Sequence, residues 1–231
     1  IFLDTDVVTI TLTESQRADA VTKSNTPGGD GTPLKLDVYG SAFLDIGANP
    51  NKQSGNLSII EIADTTFPTI ISVTIDFGYG TLLILASEST NKNYEVNASA
   101  LIISNNTGVR DVPFTGAYVI PSSPTTLKFK ITEEQRLAAT FLSGTKSGDG
   151  IPGTFMNDAG GFYDLSQNPV AKGTNITLLE VPDTVPPYFV EVSLDLGTGI
   201  MLLTASETLK LVSGHLVGPD PIAYDEKNLD I

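Results

Sequence analysis

Residues 71–88 read ISVTIDFGYGTLLILASE, and residues 190–207 read VEVSLDLGTGIMLLTASE. In the first stretch Ile71, Val73, Ile75 and Phe77 alternate with other residues; in the second Val190, Val192, Leu194 and Leu196 do the same. A period of two sends these side chains to one face of a strand. A Gly-x-Gly turn follows each, at Gly78–Gly80 and Gly197–Gly199, and leads into a run that is apolar on both faces, as in the central strand of a sandwich. The chain therefore carries two copies of one β-hairpin.

The copies belong to a longer repeat. The segments TESQR and TEEQR place Arg17 and Arg136 in matching contexts, 119 residues apart. At the same offset Gly29-Asp30-Gly31 matches Gly148-Asp149-Gly150, and Phe43, Asp45, Asn49 and Pro50 match Phe162, Asp164, Asn168 and Pro169. Asp64-Thr65 and Pro68 match Asp183-Thr184 and Pro187, and Ala86-Ser87-Glu88 matches Ala205-Ser206-Glu207. A constant offset over so long a stretch marks a duplicated unit. Val8, Ile10 and Leu12 alternate in register with Leu127, Phe129 and Ile131, and predict a further strand in each copy. Thr13 with Gln16, and Thr132 with Gln135, form the T-x-x-Q pattern of a capping box, which predicts one short helix per repeat. The fold class expected is all-β: tandem β-sandwich repeats, each with one short helix.

The segments DTTFP and DTVPP, LASE and TASE, and FLDIGANP and FYDLSQNP follow one another in a fixed order. That order resembles the immunoglobulin-like repeats of bacterial S-layer proteins and of large surface proteins of algae and other protists. The second copy departs from the usual Gly-Asn-Pro, with Gln167 before Asn168-Pro169. The resemblance implies immunoglobulin-like sandwiches and surface assembly or adhesion, without a particular ligand.

If a repeat starts at the proline after the Asp-Thr linker, residues 68–186 form one complete unit. Residues 1–67 are then the C-terminal part of a preceding repeat, and residues 187–231 the N-terminal part of a following one. The two parts together come close to one period, so the chain reads as a segment cut out of phase with its repeat; beginning at Ile1 without Met, it reads as processed or excised. Neither part alone covers its apolar strands. Burying Val190, Val192, Leu194 and Leu196 is worth on the order of 6–12 kcal/mol before entropy costs, comparable to the net stability of a whole domain. The expectation is that residues 187–231 and 1–67 complete one sandwich between successive chains or periods, head to tail. Closure within one molecule is the alternative.

The formal charge is −14, with 27 acidic and 13 basic residues. A negative field repels phosphate backbones and anionic membranes, so neither nucleic acid nor direct membrane insertion is expected, whereas divalent cations are attracted. The chain has no cysteine, which excludes disulfides, thiolate metal sites and cysteine nucleophiles. Its one histidine, His215, has no copy elsewhere, and no nucleophile-elbow, phosphate-loop or dinucleotide fingerprint is present. An enzyme is not expected.

Four further features have a bland and a functional reading. Asp64 and Asp183 precede the domain-starting prolines, while Glu88 and Glu207 end the second strand of the next unit; such junction carboxylates either satisfy local backbone groups or share a calcium ion. The Gly-Asp-Gly segments read as turns or as fragments of a calcium loop, and the turn is favoured because the alternating ligand series is missing. Asp45…Asn49 and Asp164…Asn168 read as side-chain-stabilised turns. Asn56, Asn97, Asn105 and Asn175 lie in N-x-S/T sequons, and the repeat-equivalent Asn56 and Asn175 rank first for glycosylation.

These readings point to a structural component of an extracellular filament, surface layer or adhesin. A carbohydrate- or protein-binding surface module is the alternative, with Tyr118 and Tyr224 as its candidate aromatics.

Overall fold

The computed structural model describes residues 6–91, 96–105, 111–120 and 122–210. It divides into two compact units, Ile1–Thr184 and Val185–Ile231. Strands predominate and both helices are short, so the fold is all-β. The first unit contains α1 (Glu14–Thr22), β1 (Lys35–Val38), β2 (Ser54–Ser58), β3 (Ile70–Asp76), β4 (Thr81–Ala86), β5 (Leu101–Ser104), β6 (Val112–Pro113), β7 (Tyr118–Ile120), β8 (Thr126–Lys130), α2 (Glu133–Phe141), β9 (Thr154–Asn157) and β10 (Gly173–Val181). The second contains β11 (Phe189–Asp195) and β12 (Ile200–Ala205).

The elements keep the 119-residue offset: α1 and α2, β1 and β9, β3 and β11, and β4 and β12 begin and end at matching positions. Both helices start at the capping box. Thr13 and Thr132 accept from the backbone N–H of Gln16 and Gln135, whose side-chain oxygens accept in return from the two threonine N–H groups. Unusual backbone repeats as well. Asn56 and Asn175 adopt φ of 56° and 55°, and Ala48 and Gln167 adopt 61° and 70°. A left-handed conformation is costly for residues other than glycine, so these positions report a shared loop geometry.

Strands β3 to β10 form one eight-stranded sheet in the order β6-β5-β9-β10-β3-β4-β8-β7. All its pairings are antiparallel except β10 with β3, where Leu178 faces Val73 and Val181 faces Asp76. Val73, Ile75, Phe77, Leu82, Ile84, Leu127 and Phe129 come from one half of the sheet; Leu101, Ile103, Phe155 and Leu178 come from the other. All belong to a single buried cluster, so the two halves fold toward each other across one core. One expected core position is corrected. Ile71 is exposed, because the β3–β4 register shifts between Ile70 and Ser72 and Ile70 packs against the core instead.

The segments outside this core are unlike it. Helix α1 buries no residue, whereas α2 buries Gln135 and Ala139. The strand expected over Val8–Leu12 carries no ladder pairing. Its counterpart β8 is held between β4 and β7, and among the described residues of the first unit no strand pairs with residues 8–12. Ile10 is 70% exposed, while its counterpart Phe129 is fully buried. Among the described residues of the second unit β11 pairs with β12, and Val192 and Leu194 are exposed where Val73 and Ile75 are buried.

Candidate functional site

The connection between residues 6–67 and the eight-stranded sheet carries the densest group of charges. Arg17 sits in the first turn of α1, three residues after Glu14. That spacing puts the two side chains on one helix face. Its Nε and Nη2 donate to the two oxygens of Glu14 at 2.8 and 2.9 Å. Its Nη1 donates to Asp64 at 2.9 Å, and Nη2 donates to Glu88 at 2.8 Å. Asp64 is in the Asp-Thr linker and Glu88 follows β4. One guanidinium thus ties the first helix, the Asp-Thr segment and the end of β4.

Backbone groups complete the arrangement. Glu14 Oε1 also accepts from the N–H of Ser89 at 2.7 Å. Asp64 Oδ1 accepts from Thr66 N–H at 2.9 Å. Asp164, fully buried, accepts from the backbone N–H and the side-chain amide of Asn168, both at 2.8 Å. The same amide donates to the backbone oxygen of Asp64 at 3.1 Å. Asp164 therefore forms the turn expected of it and in addition enters the joint. Asp45 makes the same loop bonds to Asn49 but stays exposed.

Three carboxylates bond one guanidinium here and Asp164 lies beside two of them, a surplus of negative charge. Burial pushes the Glu88 carboxyl up to about 7 against the downward pull of Arg17, with Asp64, Asp164 and Glu14 adding to the rise. Burial also raises Asp164, against its bonds from Asn168. Burial acts upward on Glu14 too, but hydrogen bonds from Arg17 and Ser89 outweigh it and hold that carboxyl below its usual value. Bonding to Glu14 stabilises the charged form of Arg17, so its cation persists at any accessible pH.

Carboxylate oxygens of Asp64, Glu88 and Asp164 lie within 4.8 Å of one another. Such hard oxygen donors suit calcium or magnesium, but calcium takes 6–8 oxygens, and Arg17 already engages one oxygen each of Asp64 and Glu88. A cation here would share those oxygens with the guanidinium or displace it.

Asp64 and Glu88 are brought together as their sequence positions suggested, but through Arg17. Asp183 receives Nη1 of Arg136 at 2.8 Å, and Nε of Arg136 donates to Glu133 at 2.6 Å, so this triplet repeats that of Glu14, Arg17 and Asp64. Glu207 follows β12 in the second unit. The Gly-Asp-Gly segments are turns: Asp30 and Asp149 accept from the N–H groups of Thr32 and Ile151 two residues on. Asn56, Asn97 and Asn175 are exposed and Asn105 is half-buried. Asn97 accepts from Ser99, the hydroxyl of its own sequon, at 2.6 Å. Tyr118 is exposed at the β7 edge; His215 and Tyr224 lie outside the described residues. Among the described residues no helix is long and apolar enough to cross a membrane.

Three members of the cluster escaped the sequence reading, Glu14 among them. Arg17 stood out only as a marker of the repeat, and Asp164 only as a turn former. The available signal was that Arg17 and Arg136 are repeated cations in an acidic chain, each three residues after a glutamate.

No protein-family model, no curated protein and no solved structure matches the chain.

Proposed function

We propose that the chain is a structural component of an extracellular filament, surface layer or adhesin. In this reading it is built from immunoglobulin-like repeats joined head to tail, and it performs no catalysis. The observation that carries the reading is the Arg17 cluster. A partly buried guanidinium bonded to Glu14 and Asp64 of one repeat and to Glu88 of the next restrains the angle between them. A fixed joint serves an element that must hold shape over many repeats, whereas independent modules do better on loose linkers. The 119-residue recurrence of helices, strands and left-handed loop positions supports a modular array. The surplus of carboxylates around Arg17 supports calcium as a second tie at the joint.

The test is immunogold labelling of the cells that make the protein, with antibodies raised against this chain. Dense, regular label along surface fibres or over a continuous coat is expected. Label confined to the cell interior overturns the reading. Sparse surface label, combined with saturable binding of the chain on a glycan or protein array, supports the alternative of a binding module.

A further inference from the structure

We infer that the exposed apolar face of residues 6–62 is a docking site for a second copy of this chain, and that the β11–β12 hairpin of that copy is the occupant. The inference rests on the reading of the chain as part of a repeat array and deepens it by naming the contact.

The complete sheet shows what such a face accepts. There β4 lies against β8 with Leu82 opposite Phe129 and Ile84 opposite Leu127. On its other side β3 lies parallel to β10, with Val73 opposite Leu178. Every one of these residues is buried. At the 119-residue offset the same pairs become Met201 with Ile10, Leu203 with Val8, and Val192 with Ile59. Ile10, Leu203, Val8, Val192 and Ile59 are all exposed in the single chain, and Met201 is half-buried. The two faces are thus the separated halves of an interface that the chain displays assembled once.

A cavity marks where the turn of the hairpin goes. It has a volume of about 530 Å³ and is lined by Arg17, Ala20, Val21, Leu34, Glu61 and Ile62 among others. In the complete sheet the counterparts of Arg17 and Ile62 hold Phe77. Arg136 Nη1 donates to the Phe77 carbonyl at 3.1 Å, and the Phe77 N–H donates to the Val181 carbonyl at 3.1 Å. The Phe77 ring is fully buried. Leu196 is the counterpart of Phe77 and is 87% exposed. Leu196 of a second copy fills the cavity, its N–H donating to Ile62 and its carbonyl accepting from Arg17. The contact joins two different surfaces of identical chains, so it propagates head to tail and does not close into a dimer.

The chain has no cysteine, which makes cross-linking a clean test. Val8 and Leu203 correspond to Leu127 and Ile84, direct partners across an antiparallel ladder, and such partners lie within disulfide reach. Val8→Cys and Leu203→Cys chains, mixed and mildly oxidised, are expected to give a disulfide dimer far in excess of that from Val8→Cys mixed with Leu202→Cys, whose side chain points to the opposite face. The double variant Val8→Cys/Leu203→Cys is expected to give a ladder of oligomers. A double variant that seals within one chain overturns the proposal, as does equal cross-linking by the Leu202→Cys control. Light scattering gives an independent readout. Wild-type mass is expected to rise with concentration, and Leu196→Asp or Ile10→Asp is expected to weaken association at least about tenfold, with unchanged circular dichroism because both side chains are exposed. A wild-type chain that stays monomeric at millimolar concentration overturns the docking, even where surface labelling upholds the structural role.

Discussion

The Nη2 of Arg17 lies 2.8 Å from Oε2 of Glu88, 71 positions further along the chain. The first lies in α1 and the second just after β4, and among the described residues Arg17 is the cation bonded to Glu14, Asp64 and Glu88, with Asp164 beside the last two. Replacing Arg17 with Ala leaves Glu88, nearly buried, without its counter-charge. The expected cost is about 2–3 kcal/mol in urea unfolding, below the range for fully buried pairs because Arg17 is part exposed. Arg17→Lys is expected to recover less than half of that, since an ammonium cannot grip Glu14 bidentately while also reaching Asp64 and Glu88.

Acidity acts on the same cluster. The Glu88 pKa is raised from 4.5 to about 7 in the folded chain, burial being the main cause. A raised carboxyl pKa means that the folded state binds the proton more tightly. Its contribution is fully present below 4.5 and is lost as pH rises through 7, about 3–3.5 kcal/mol in all. Asp164 shifts in the same sense. Glu14 shifts downward, so its contribution is present above 4.5 and lost in more acid solution. Unfolding free energy measured from pH 8 to pH 5 is expected to increase, and Glu88→Gln is expected to flatten that slope. An unchanged slope in Glu88→Gln assigns the pH dependence to other groups.

A calcium ion at the oxygens of Asp64, Glu88 and Asp164 would compete there with the proton. Binding is expected in the millimolar range of extracellular modules. At ten times the dissociation constant the gain is about 1.4 kcal/mol. Thermal unfolding with and without calcium should therefore show a rise in Tm that is larger at pH 8 than at pH 5 and absent in Asp164→Asn. An identical Tm at both pH values means that Arg17 alone serves the joint.

Repeat-equivalent substitutions separate sequence from surroundings. Phe129→Ala is expected to cost about 3–5 kcal/mol, the usual penalty for emptying a packed aromatic site. Ile10→Ala, at the matching position, is expected to change the stability of the dilute chain by less than about 0.5 kcal/mol. Likewise Asp164→Ala should cost about 1–3 kcal/mol and Asp45→Ala much less, although the two aspartates make the same loop bonds. Equal effects within either pair mean that the exposed copy is covered in solution.

The secondary structure was legible where local chemistry decides it. Thr132 and Gln135 announce α2, because a capping box needs only residues three apart. Val73, Ile75 and Phe77 announce β3, because alternation reflects one buried face. Ile71 misled, because the register shift beside it arises in pairing with β4, which periodicity within β3 does not report. Val8–Leu12 misled for a related reason: the pattern of a central strand is present, but a ladder also needs partners. At the joint, the carboxylates of Asp64 and Glu88 could be read from the Asp-Thr linker and from the end of the strand run that follows it. Asp164 could not, because its entry depends on how the loop before Asn168 comes to rest on the linker. Nothing short of the three-dimensional arrangement places residues 64 and 164 together.

The parallel pairing of β3 with β10 also bears on how an array of the proposed kind would carry load. These two strands run side by side in one direction, so Ile70 and Val181 leave the sheet at opposite ends. Tension applied along an array pulls the two strands lengthwise past each other. The rungs from Val73–Leu178 to Asp76–Val181 then resist together in shear and do not peel apart one at a time. Rupture under force is governed by the unfolding rate, and shear geometry slows it without any gain in equilibrium stability. A repeat of modest thermal stability can on this account bear considerable mechanical tension.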